Sequence, residues 1–209
     1  MKAVILCDGR RPPADKIRHA IDHAELFIAA DGGGNVAREL NLTPQIVIGD
    51  LDSYTAEPDP QTEVIRDPDQ ESNDLEKALN KALEKGATDA VVFGAVGQRL
   101  DHTLKNLSVL KQFNTRFTTL RYFDRYGELF LLPAKFRAQY PPGTTVSLFP
   151  LSGKAEGITT RGLKFTLQNE TLENGVRDGS SNETVREYIE ITHKKGDLLI
   201  FVVHKQPAF

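Results

Sequence analysis

Apolar residues in the first part of the chain fall in short runs, separated by stretches whose apolar positions recur every three or four residues. The runs at residues 3–6, 26–30, 46–48, 63–65, 90–93 and 117–123 are rich in Val, Ile, Leu and Phe, and they predict strands covered on both faces. Residues 73–85 read as a helix: Leu75, Ala78, Leu79, Ala82 and Leu83 make one stripe, Asn73 and Glu76 form a capping box, and Gly86 stops it. A second helix is predicted over 101–113 with Leu104, Leu107 and Leu110 facing inward. Strand runs alternating with helical stretches predict βα units around a mostly parallel sheet.

Past residue 125 the pattern changes. Short runs at 129–132, 145–149, 162–167, 187–192 and 198–203 stand between the turn signals Pro141-Pro142-Gly143, Asn174-Gly175 and Lys195-Gly196, and they predict a small antiparallel β domain. The expected organisation is an α/β domain over 1–125 followed by a β domain over 126–209.

Composition narrows the functions. With 26 basic and 29 acidic residues, a net charge of −3 and a pI near 6.0, the chain lacks the basic excess expected of a nucleic-acid or anionic-membrane surface. The single cysteine, Cys7, lies in the apolar run of the first strand and reads as an inert core thiol. The five apolar residues between Lys2 and Asp8 are too few for a signal peptide or a membrane span, so a cytoplasmic location is expected.

The candidate chemistry is carboxylate chemistry. In Ile46-Val47-Ile48-Gly49-Asp50-Leu51-Asp52-Ser53 a buried strand stops at a glycine and two acids spaced two apart, which places Asp50 and Asp52 on one face beyond the strand end. Two like charges about 4 Å apart repel by roughly 4 kcal/mol at an effective dielectric near 20, so the pair calls for a cation, a shared proton or ample water. A solvated turn capped by Ser53 is the plainer alternative. Three other loops put an acid at the same topological position. Asp31-Gly32-Gly33-Gly34-Asn35 follows the second strand, Asp74 opens the capped helix after Gln70 and Ser72, and Gly94-Ala95-Val96-Gly97-Gln98-Arg99-Leu100-Asp101-His102 follows the strand at 90–93. Asp74 also suits the helix dipole, Asp101 a helix N-cap, and His102 an exposed helix start. Glycines and Arg99 in the last loop could face phosphate oxygens. Hard oxygen donors without paired His or Cys point to Mg2+, with a nucleoside polyphosphate as its guest. Neither a P-loop nor a kinase-type His-Arg-Asp motif is present.

Taken as an ordered set, Ala30-Asp31-Gly32-Gly33, Gly49-Asp50-Leu51-Asp52-Ser53, Gln70 with Ser72-Asn73-Asp74 and Glu76-Lys77-Ala78-Leu79, and Gly94-x-x-Gly97-x-Arg99-x-Asp101-His102 resemble the thiamine pyrophosphokinase family. Gly162-Leu163-Lys164-Phe165, Asn169-Glu170-Thr171-Leu172 and Ser181-Asn182-Glu183 extend the likeness into the second domain. The resemblance implies transfer of a diphosphate group from ATP to the hydroxyl of thiamine, giving thiamine diphosphate and AMP. It implies an α/β nucleotide domain joined to a β-sandwich, working as a homodimer with thiamine near the subunit interface. It further implies Asp50, Asp52 and Asp74 as Mg2+-facing acids with Asp31 and Asp101 close by, and Asp31, Gly32, Gly33, Gln70, Ser72, Gly97, Arg99 and His102 facing ATP. Ser181 and Asn182 would contact thiamine. The chain has no Trp where family members often carry one in the β domain, after Gly-Leu-Lys or near the final strand; Phe165 and Ile200-Phe201 stand there, with Phe165 read as a core side chain or as a smaller stacking surface.

The expected mechanism is in-line attack of the thiamine oxygen on the β-phosphorus, with Arg99 steadying phosphate charge. The rivals are a diphosphokinase acting on a hydroxymethyl pterin, a metal-dependent phosphohydrolase with water as nucleophile, and a nucleotide-sensing module without turnover.

Overall fold

The structure, a computed structural model, describes residues 1–204. The chain divides into two compact units that meet in sequence between Arg125 and Tyr126. In the first unit six strands, β1 (Lys2–Leu6), β2 (Leu26–Ala30), β3 (Ile46–Gly49), β4 (Glu63–Arg66), β5 (Asp89–Phe93) and β6 (Thr119–Phe123), lie in the order β6-β5-β1-β2-β3-β4. Each neighbouring pair is parallel. The central strands are buried along almost their whole length, as their unbroken apolar runs require, while the edge strand β4 is largely exposed.

Four helices cover this sheet: α1 (Ala14–Asp22), α2 (Gly33–Glu39), α3 (Asp74–Glu84) and α4 (Leu100–Phe113). Val4, Leu6, Phe27 and Phe93 of the strands pack with Ile17 of α1 and Val36 and Ala37 of α2. The capping box of α3 is present in both directions, Asn73 Oδ1 accepting from the Glu76 N–H at 3.0 Å and Glu76 Oε2 from the Asn73 N–H at 3.0 Å. The expectation for α4 needs correction. Its inward residues are Asn106, Val109, Leu110 and Phe113, Leu107 is half-buried, and Leu104 is 60% exposed. Cys7 is buried, and burial pushes its thiol pKa well up, consistent with an inert core thiol.

In the second unit β7 (Gly127–Leu131), β9 (Thr145–Pro150), β12 (Gly179–Glu183) and β14 (Leu198–Val203) form one antiparallel sheet in the order β12-β9-β14-β7. A second sheet holds β8 (Lys135–Gln139), β10 (Lys154–Arg161), β11 (Glu170–Glu173) and β13 (Tyr188–Thr192) in the order β11-β10-β13-β8. Side chains from both sheets, among them Val146, Leu148, Ile200, Ala155, Ile158 and Ile191, share one core, which makes this unit a β-sandwich. Residues 162–167 do not form the predicted strand: Leu163 makes an isolated bridge to Thr184 and the rest is loop. Phe165, in that loop, is 63% exposed, so its reading as a core side chain is overturned. No helix of the described residues is long and apolar enough to cross a membrane.

Candidate active site

The carboxyl-terminal edge of the parallel sheet collects acids because the loops after β2 and β3 each begin with one. Asp31 follows β2 directly. Its N–H donates to the Ile48 carbonyl at 2.9 Å, so the residue is tied to β3, and its backbone takes the left-handed value φ +41°. Its side chain is only 4% exposed. Oδ2 accepts from the Ser53 N–H at 3.3 Å, while Oδ1 is buried without a hydrogen-bond partner. Burial raises the Asp31 pKa above the ordinary carboxylate value, the charges of Asp74 and Asp52 push the same way, and hydrogen bonds from Gly32 and Ser53 offset part of this.

Asp50 and Asp52 follow β3 across Leu51, itself at φ +64°. Asp50 Oδ1 accepts from the Asp52 N–H at 3.2 Å and Oδ2 from Gln70 Nε2 at 3.3 Å, and these bonds lower its pKa. Asp52 Oδ1 accepts from Ser53 Oγ at 2.9 Å. One carboxylate oxygen from each of Asp31, Asp50 and Asp52 lies within 4.8 Å of the others. Octahedral Mg2+ with bonds near 2.1 Å spaces its ligands about 3.0 to 4.2 Å apart, so small side-chain rotations or an intervening water close the difference.

Asp74, in the first turn of α3, stands beside this trio. A Cβ placed on Gly49 would lie 2.7 Å from the Asp31 Cβ and 3.0 Å from Asp74 Oδ1, so both carboxylates flank a position that admits only glycine. Burial raises the Asp74 pKa, Lys77 lowers it, and the charge of Asp50 raises it. Lys77 is 4% exposed; its Nζ lies 3.6 Å from Asp74 Oδ1 and donates to the Asp67 carbonyl at 2.9 Å. Of the acids expected to face Mg2+, Asp50 and Asp52 cluster with Asp31, which was expected only close by, while Asp74 stands adjacent and outside that trio.

Other candidates are placed differently. Ser72 Oγ donates to Asp69 Oδ2 at 2.5 Å, within the loop before α3. Gly32 and Gly33 are buried where α2 begins. Gly97 donates its N–H to Thr103 Oγ1 at 3.2 Å. Arg99 is engaged by Asp101 through bonds of 3.1 and 2.5 Å, and its guanidinium holds the Asp101 pKa down at about 2. That pair and His102 are exposed. In the β-sandwich unit Ser181 is exposed at φ +56° and donates its N–H to Ser147 Oγ at 3.0 Å. Asn182 is 6% exposed and grips the Phe165 backbone, accepting its N–H at 3.0 Å and donating to its carbonyl at 2.7 Å.

The structure adds residues to the sequence reading. Asn35 of α2 donates to the Ser53 carbonyl at 2.7 Å and accepts from the N–H groups of Thr55 and Ala56 at 2.9 Å each, which anchors the loop carrying Asp52. Lys77 sits one helical turn past Asp74, a spacing legible in sequence once α3 is assigned. Asp8 lies two residues past the end of β1, and its Oδ2 would lie 3.2 Å from a Cβ on Gly32.

Comparison with known proteins follows the same lines. A family model described as thiamin pyrophosphokinase, catalytic domain, matches residues 17–122, and one described as thiamin pyrophosphokinase, vitamin B1 binding domain, matches residues 135–198. Thiamine pyrophosphokinase 1 of Oryza sativa subsp. japonica is 26% identical over 203 residues, covering 82% of this chain and 76% of that protein. Thiamin pyrophosphokinase 1 of Caenorhabditis elegans is 27% identical over 194 residues, covering 86% and 79%. The crystal structure of thiamine pyrophosphokinase from Bacillus subtilis shares the fold, with a TM-score of 0.83 at 23% identity over 99% of this chain and 100% of that one. The catalytic-domain match spans half of the residues and the second match follows it in order, and on that basis the chain belongs to the thiamin pyrophosphokinase family.

Proposed function

We propose that this chain transfers the diphosphate group of ATP to the hydroxyl of thiamine, giving thiamine diphosphate and AMP, with Mg2+ as its metal. The observation that carries the reading is the oxygen trio of Asp31, Asp50 and Asp52, one of whose buried oxygens, Asp31 Oδ1, lacks a partner. An all-oxygen donor set of this charge suits a hard divalent cation, whereas Zn2+ favours nitrogen and sulfur donors. Bound there, Mg2+ would offset the charge of the phosphate oxygens.

The protein's own groups supply orientation. Gln70 and the Asp52 N–H fix Asp50, Ser53 fixes Asp31 and Asp52, and Lys77 holds Asp74 against the loop at Asp67. The thiamine oxygen attacks the β-phosphorus in line and AMP departs, so catalysis is positioning plus electrostatics. Residues 1–125 take ATP and the metal. Residues 126–209 take thiamine, with Ser181 and the Asn182-anchored loop in contact with it, and two copies of the chain pair as a homodimer.

The test is incubation with ATP, Mg2+ and thiamine, following AMP and thiamine diphosphate together. Equal amounts of the two products are expected, and Asp50→Asn or Asp52→Asn should each lower kcat by at least about a hundredfold with the fold intact. AMP formed only with a hydroxymethyl pterin, or phosphate released at a rate indifferent to thiamine, overturns the reading of the acceptor.

A further inference from the structure

The crevice at the carboxyl edge of an open parallel sheet opens where the strand order reverses. Here β1 lies between β5 and β2, with the chain building outward through β2, β3 and β4 on one side and through β5 and β6 on the other, so the reversal falls between β1 and β5. The two loops that flank it are clasped together. Gly9 N–H donates to the Gly94 carbonyl at 2.9 Å, Arg10 N–H to the Val96 carbonyl at 3.0 Å, and Gln98 Nε2 to the Asp8 carbonyl at 2.5 Å. Gly97, at φ +93°, leaves the room in which the Arg10 stem lies: a Cβ there would be 3.0 Å from Arg10 Cβ and 3.3 Å from Cγ and Cδ.

The cations of these loops are not equivalent. Arg99 is taken up by Asp101 and Arg11 by Glu39 at 3.2 Å. Arg10 is exposed, and among the described residues no acid pairs with it. The acid trio stands one and two strands away from β1, on the loops after β2 and β3, or about 5 to 10 Å at the usual strand spacing. A polyphosphate gripped at one end through those acids has its remaining charge to place, and a planar guanidinium at the switch point is the donor suited to it.

The geometry points to Arg10 as a phosphate-binding residue for the nucleotide, its stem seated against Gly97. This deepens the assignment of ATP as substrate and rests on it. The measurement is the affinity of the wild-type protein, with Mg2+, for the non-hydrolysable α,β-methylene analogue of ATP, together with steady-state KM and kcat. Arg10→Gln keeps the stem on Gly97 and removes the charge; it should weaken analogue binding and raise KM for ATP about ten- to hundredfold, the range of a charge-assisted hydrogen bond, with KM for thiamine within twofold. Arg10→Lys should recover part of the loss, and Arg11→Ala should behave as wild type. Gly97→Ala should shift KM for ATP in the same direction as Arg10→Gln. Analogue binding within twofold of wild type in a folded Arg10→Gln protein overturns the assignment of Arg10 even while thiamine diphosphate is being made. Arg10-dependent analogue binding without product from thiamine leaves Arg10 standing and removes the acceptor instead.

Discussion

Asp31 is held in two ways that disfavour it, a left-handed backbone at φ +41° and a buried carboxylate with one oxygen unpartnered. A buried acceptor without a bond costs about 1 to 3 kcal/mol, and a strained non-glycine backbone a similar amount. Its raised pKa gives the sign of the pH dependence. The folded state binds the proton more tightly than the unfolded chain. The ionisation penalty is therefore absent below the unfolded pKa, grows as pH climbs towards the folded pKa, and is complete above it. In EDTA at pH 7, Asp31→Asn should then raise the melting temperature by a few degrees, at about 2–4 °C per kcal/mol, and by less in acid below the ordinary carboxylate range. Added Mg2+ should stabilise the wild type and leave the variant unmoved. A variant that melts lower than wild type at pH 7, or that keeps the full Mg2+ shift, refutes the role given to Asp31.

At the scale of elements, α3 joins two active-site loops through amides. Asn73 caps α3 and donates to Asn106 Oδ1 at 2.8 Å, and Asn106 in turn donates to the Ala95 carbonyl at 2.6 Å, so the loop before α3 and the loop after β5 share one chain of bonds. Asn73→Ala removes the cap and strands the buried Asn106 oxygen. A loss of about 2 kcal/mol is expected in denaturant unfolding, with a rise in KM for ATP from loosened loops. An unfolding midpoint equal to wild type contradicts it. This cap was legible in the sequence because both halves of the box lie three residues apart on an apolar stripe. The parallel strands were legible because full burial leaves unbroken apolar runs. What escaped had physical reasons. A spacing of three places Leu104 inward in the sequence, yet three residues turn a helix by 300°, so Leu104 and Leu110 lie about 120° apart around α4. In β10 the bulge between Ala155 and Ile158 breaks the two-residue alternation that marks a strand. The strand β12, Gly179–Glu183, is polar throughout and joins its sheet through main-chain bonds to β9. Leu163, Phe165 and Leu167 alternate like one strand face, but Leu163 and Leu167 are buried and Phe165 points to solvent. The recurrence of acids after β2 and β3 was visible in sequence. Which of them lie together was not, because that depends on Gly49 leaving room for Asp31 and Asp74 beside it.

For the whole molecule, the proposed function assigns thiamine to the second unit, and the sandwich offers a specific means of recognising it. Phe165 presents an exposed aromatic ring on a loop whose backbone is fixed by the buried Asn182 amide, which also accepts the Glu183 N–H at 2.9 Å. Two of those bonds hold the Phe165 backbone before any ligand arrives, and preorganisation of the loop lowers the entropic cost of binding. Aromatic faces also attract cations, and the thiazolium ring of thiamine carries a positive charge. Phe165→Ala should therefore raise KM for thiamine about three- to thirtyfold, leave KM for ATP within twofold and hardly move the melting temperature, since the ring buries little. Asn182→Ala should raise KM for thiamine by a similar factor but also lower stability by about 1 to 3 kcal/mol, because the Phe165 and Glu183 main-chain groups lose their partner. Steady-state kinetics in both substrates, paired with thermal melts of the two variants, separate the cases. If Phe165→Ala leaves KM for thiamine unchanged, the ring is not part of thiamine recognition and the Asn182 amide only braces the loop.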